Sequence, residues 1–123
     1  MLLGNRFLRH AVIYALLGMA WGLYMAISHE HHTHPGHAHL LLLGWVSMAI
    51  FGLFFRLVPG AEGGLGRAIF WLANIGVVVM AAGIGGVTSG VAEAEAAAAI
   101  GSIFVFVAMI LFAVVVFQNT RRP

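Results

Sequence analysis

Long apolar runs alternate with short polar breaks along the whole chain. Four runs reach the roughly 20 residues a helix needs to cross about 30 Å of hydrocarbon: 7–27, 37–58, 67–87 and 94–117. The breaks read as turns. Positions 29–36 are polar and include Pro35, 59–66 hold one proline and four glycines, and 88–95 hold Ser89, Gly90 and two glutamates. No Lys, Asp or Glu falls in the middle of any run. The pattern predicts an all-α membrane protein, with four transmembrane helices in an antiparallel up-down bundle and a single domain over 1–123.

Composition supports the bilayer as solvent. Of 123 residues, 62% are hydrophobic and 8% charged, against about a quarter charged in soluble domains. A small water-soluble fold buries only about two-thirds of its surface and could not hide so much apolar area. With no cysteine, disulfides, thiolate metal sites and thiol nucleophiles are excluded. The net charge is +2 and the basic residues are scattered, so nucleic-acid binding has no support.

Charge placement orients the bundle. Arg6 and Arg9 precede the first run, Arg56 and Arg67 flank the central loop, and Arg121 and Arg122 follow the fourth. All six lie on one side of a four-span chain, while Glu30, Glu93, Glu95 and six of seven histidines lie on the other. Lys and Arg collect in cytoplasmic loops, so both termini and the central loop are expected in the cytoplasm. A secretory signal ending at Ala26-Ile27-Ser28 is the competing reading of the first run. Its apolar stretch, about 16 residues from Ala11, is slightly long for that role. Trp21 and Tyr24 suit an interfacial aromatic belt, which favours a retained span.

Small residues recur along the runs: Gly18 and Gly22, then Gly76, Gly83, Gly85 and Gly86, then 96–99 and Gly101. Such positions let backbones approach closely in lipid. The phenylalanines and methionines read as lipid-facing or core filler. Asn74 is expected to make an interhelical hydrogen bond. His10, beside Arg9, reads as an interfacial residue that snorkels, about a membrane thickness (~30 Å) from the other histidines.

The exterior end of the first hairpin carries the candidate chemistry. His29, His31, His32, His34, His37 and His39 fall with Glu30 inside 11 residues. Neutral imidazole is both the commonest metal ligand and an axial haem ligand. Pro35 suits the first turn of a helix, with Thr33 or His34 as cap. His37 and His39 then fall just inside the second span, where a polar side chain needs a partner. At 100° per residue they point to nearly opposite faces. Gly44, seven residues below His37, leaves room for a flat ligand such as a porphyrin. Below His39, Leu43, Val46, Ile50 and Leu53 make an apolar wall. His29, His31, His32, His34 and Glu30 alternatively form a site for zinc, copper or nickel, to which Glu93 and Glu95 could contribute. Those two glutamates equally suit the start of the fourth helix.

From His37-Ala38-His39 through Gly44-Trp45 and Phe51-Gly52-Leu53-Phe54-Phe55 to Pro59, the second span resembles the second helix of haem-copper oxidase subunit I, closest to the nitric oxide reductase branch. The resemblance covers about 23 residues, a fifth of the chain. It implies a haem b whose axial ligand comes from the pair His37 and His39, because aligning Trp45, Gly52 and Pro59 puts the family histidine between them. Those subunits contain several four-helix arcs, and this chain supplies one. The histidines of the family's oxygen-reducing centre have no counterpart in the third or fourth span. Haem binding is therefore implied, and oxygen or nitric oxide reduction is not. No catalytic residue is assigned.

These readings converge on a small haem b protein for electron transfer or for haem or gas sensing. Its second axial histidine would come from the loop, as His34, or from another copy in a homodimer or homotrimer. The expected setting is a bacterial-type inner (plasma) membrane with the histidine-rich loop on the exterior or periplasmic side, in reach of a respiratory electron-transfer partner. Metal binding or transport through the loop and an assembly role in a respiratory complex are the alternatives.

Overall fold

The computed structural model describes residues 2–121; Arg122, one of the six arginines counted above, lies outside them. Four helical spans run up and down, and no strand occurs among the described residues. Helix α1 is Leu3–Ser28. The second span, His34–Leu57, is continuous but not uniform. It comprises α2 (His34–His39), a π-helical stretch over Leu40–Ser47 and α3 (Met48–Leu57). After a 3-10 turn at Pro59–Ala61 come α4 (Gly64–Thr88) and α5 (Ala94–Asn119). Spans of 24–26 residues give lengths of about 36–39 Å, more than the hydrocarbon requires.

The first three spans begin about one turn earlier than hydropathy predicts, at Leu3, His34 and Gly64. Hydropathy registers only the hydrocarbon-facing part of a helix, whereas backbone hydrogen bonding continues into the interface. The stops have local causes. His29 adopts a left-handed conformation (φ 59°) that ends α1, and Gly90 does the same (φ 92°) between α4 and α5. Val58, kept out of the helical region before Pro59, ends α3 (φ −126°, ψ 71°).

Helix α1 packs along the second span, α2 lies against α4, and α5 runs along α4. Lipid removes most of the hydrophobic drive for this association, so close packing must supply it. The glycines do so in two seams. A methyl at Gly18 would strike the Leu41 side chain at 2.5 Å, and one at Gly22 would meet His37 Cε1 at 2.9 Å. At Gly83 and Gly101 added methyls would strike the backbones of Ala98 and Met80, so α4 and α5 touch main chain to main chain.

The arginine end holds an aromatic core. Phe7 stacks on Phe55 (centroids 5.6 Å, 5° between planes) and meets Phe51 and Phe70 edge-on. Phe106 and Phe117 point outward, so the phenylalanines divide between core and lipid-facing positions. At the same end the Leu3 N–H donates to Glu62 Oε1 (2.8 Å), giving the first turn of α1 a carboxylate from the central loop. Arg56 Nη1 donates to Asn5 Oδ1 (2.9 Å). Arg6, Arg9, Arg56, Arg67 and Arg121 all fall at this end, and the histidine cluster falls at the other.

Candidate functional site

Trp21 organises the histidine end. Its Nε1–H donates to Thr33 Oγ1 (2.8 Å), and its ring occupies the space beside Gly36 and Gly85. It is thus a wedge between α1, α2 and α4, more than the belt residue its position predicts. Thr33 is the residue before α2, as expected of the cap, but its hydroxyl accepts from Trp21 and makes no side-chain cap.

His37 and His39 leave the helix in different directions. The His37 ring lies between the second span and α1, half-buried over Gly22, with Nδ1 2.8 Å from the Gly18 carbonyl. His39 is exposed on the outer face, with Nδ1 2.7 Å from the Pro35 carbonyl. A carbonyl only accepts, so in each neutral ring Nδ1 carries the proton and Nε2 carries the lone pair. Ligating histidines are held in this way, by a second hydrogen bond that fixes tautomer and ring orientation. Of the residues expected below His39, Val46, Ile50 and Leu53 are exposed on the second span. Leu43 instead packs partly into the core, and Leu42 is exposed in its neighbourhood.

Gly44 does not leave the opening that sequence spacing assigns to it. It is buried, and an added methyl would lie 2.9 Å from Tyr14 Cβ and 3.1 Å from Val77 Cγ1. Neighbouring helices fill the notch.

The loop histidines are not gathered. His29, His31, His32, His34 and Glu30 are exposed, and among the described residues no three His, Cys, Asp or Glu side chains are placed to hold a metal ion. His34 does approach His37, with ring centroids 5.9 Å apart. Glu93 precedes α5 and Glu95 lies in its first turn, where negative charge suits the helix dipole.

A second polar locus lies between α1 and α4. Asn74 accepts at Oδ1 from the Tyr14 hydroxyl (2.7 Å) and from His10 Nδ1 (2.7 Å), and its Nδ2 donates to the Phe70 carbonyl (2.8 Å). Asn74 therefore makes the interhelical bonds expected of it. His10 does not snorkel, because its ring turns inward to α4. His29, at the end of α1, is 19 residues from His10, a rise of about 28 Å and so roughly the membrane thickness expected, but His37 reaches closer. His37 docks at Gly18, eight residues from His10 along α1, a rise of about 12 Å. Tyr14 was the partner sequence reading missed; its i, i+4 spacing from His10 was the available signal.

No protein-family profile and no solved structure matches the chain. Part of it, 44% of its length, aligns at 41% identity over 61 residues with the cbb3-type cytochrome c oxidase subunit CcoN1 of Stutzerimonas stutzeri. That alignment takes in 13% of the relative, so the chain corresponds to a small fraction of the relative's length. The histidine-bearing four-helix chain is thus similar, over part of its length, to a cytochrome oxidase subunit.

Proposed function

We propose that this chain is a small membrane-integral haem b protein, acting in electron transfer or in haem or gas sensing. The axial ligand comes from the pair His37 and His39, and His39 is the better placed. One observation carries the reading: Pro35 fixes His39 Nδ1 as the donor, so the ring offers a bare Nε2 on the exposed side of a span whose Val46, Ile50 and Leu53 are exposed too. A flat apolar macrocycle needs such a ligand together with apolar surface. His37 has the same tautomer, but its ring is lodged against Gly22. The partial relationship to the oxidase subunit and the nitric-oxide-reductase-like pattern of 37–59 support the same cofactor.

Because the His39 face points out of the bundle, the second histidine comes from the loop, through His34, or from another copy in a homo-oligomer. Bound haem would supply one-electron exchange or an iron centre for a diatomic gas. The chain's own part is to hold the imidazole tautomer and to keep water from the apolar face. The arginine end faces the cytoplasm and the histidine end the periplasm or exterior, where a respiratory partner would dock.

An optical spectrum tests the proposal. Protein purified from haem-replete cells is expected to show a Soret band, retained largely in His37→Ala and lost in His39→Ala. Colourless wild-type protein would overturn the haem reading. A colourless preparation carrying stoichiometric zinc, copper or nickel would move the function to the loop histidines.

A further inference from the structure

Helices α1 and α4 both start at the arginine end, and each carries an arginine in its first turn, Arg6 and Arg67. The two side chains line one polar cavity of about 120 Å³ with Leu3, Glu62 and Gly63. Arg56, at the same end, donates to Asn5, whereas neither Arg6 nor Arg67 has a side-chain hydrogen bond among the described residues. Glu62 turns Oε1 to the Leu3 N–H. Two guanidiniums against one carboxylate leave the cavity with net positive charge.

An apolar groove of about 340 Å³ continues along the same two helices. Arg6 joins the cavity to it, because its guanidinium lies 5.9 Å from the ring centroid of Trp71, which lines the groove. Arg67, Trp71, Ile75 and Val78 follow at steps of three or four residues and so share one face of α4. Trp71, Ile75 and Val78 are exposed, whereas Tyr14 and Asn74 line the groove from buried positions, bonded to each other. His10, tied to Asn74, is the half-buried polar exception and lies one turn from Arg6. From Arg67 to Val78 the helix rises about 16 Å, roughly one leaflet of a hydrocarbon core about 30 Å thick.

Charge and length together specify the occupant. A phosphodiester anion suits a pair of guanidiniums, which offer charge-assisted, bidentate hydrogen bonds. An apolar groove one leaflet long takes an acyl chain. A choline or ethanolamine headgroup would set a cation beside the exposed Arg67, whereas a glycerol headgroup would not. We propose that the furrow between α1 and α4 holds one anionic phospholipid of the phosphatidylglycerol type. Its phosphate sits between Arg6 and Arg67, and one acyl chain runs along Trp71, Ile75 and Val78. The site is separate from the proposed haem face and does not depend on it.

Native mass spectrometry of the full chain, released from detergent micelles with dioleoylphosphatidylglycerol or dioleoylphosphatidylcholine, is the test. One phosphatidylglycerol per chain is expected to bind about tenfold more tightly than phosphatidylcholine. Arg6→Gln and Arg67→Gln should each erase most of that preference. Arg9→Gln should keep it, because Arg9 lines a separate surface groove with Leu8, Val12 and Ile13. Glu62→Gln retains an acceptor for the Leu3 N–H and removes the negative charge, so it should raise the phosphatidylglycerol affinity severalfold. Equal affinity for the two lipids would overturn the proposal. So would an equal loss in Arg9→Gln and Arg67→Gln, which would mean diffuse attraction to the arginine end. Displacement of the lipid by equimolar glycerol phosphate would overturn it too, since the groove would then play no part. If Arg6→Gln, which loses its contact with Phe70, fails to fold, the two-lipid comparison on the wild type decides alone.

Discussion

His37 is tied to the backbone of Gly18: its Nδ1–H donates to that carbonyl across the interface between α1 and the second span, at 2.8 Å. The bond is possible because Gly22, one turn further along α1, presents no side chain to the ring. A methyl there would lie 2.9 Å from His37 Cε1. Gly22→Ala is therefore expected to displace the ring, lengthen the bond to Gly18 and cost about 1–2 kcal/mol. Unfolding in mild detergent measures this. Because the displaced ring no longer contributes, His37→Ala should cost less in the Gly22→Ala background than alone. Strict additivity of the two substitutions would show that Gly22 does not seat His37.

Asn74 joins α1 to α4 through Tyr14 and His10. Interhelical hydrogen bonds in membranes average about 0.6 kcal/mol, with model peptides at about 1–2. Asn74→Ala removes an acceptor shared by two donors and should cost about 1–2 kcal/mol, while Tyr14→Phe should cost about 0.6. In a double-mutant cycle the pair is expected to couple, with Tyr14→Phe nearly silent once Asn74 is gone. An Asn74→Ala protein as stable as the wild type would remove this network from the energetics of the fold.

The absence of native cysteine makes sidedness directly measurable. Ser89 is exposed in the turn at the histidine end, and Gly60 is exposed in the central loop with open space around it. With the arginine end inside, Ser89→Cys should react with a membrane-impermeant maleimide on intact cells. Gly60→Cys should react only after permeabilisation. The reverse pattern would invert the assigned orientation.

The spans were legible because the bilayer imposes a length and a composition that few other environments require. The divergence of His37 and His39 was legible too, since two residues at 100° each separate widely around any helix. Gly44 shows where such reading fails. A glycine marks a place where something approaches, but the helix's own sequence does not say whether a ligand or another helix fills it, and here Tyr14 does. The His10–Asn74 bond was hidden for a related reason. Its partners are 64 residues apart, and each alone reads as an isolated polar residue. The density of histidines in the loop was plain in the sequence, whereas their convergence depends on backbone directions that composition does not carry.

The π-helical stretch over Leu40–Ser47 changes how the second span must be counted. An α-helix converts residue number into angle at a constant 100° per residue, but a coil closed by i→i+5 bonds turns less at each step. Ser47 Oγ reaches the Leu42 carbonyl, five residues back, inside this stretch (3.0 Å). The angular phase of the histidine turn relative to Phe51 and Phe55 is therefore not given by 100° for each residue between them. It is indexed from outside, by Gly18 holding His37, and deleting one residue from the stretch would shift the phase of the two ends against each other.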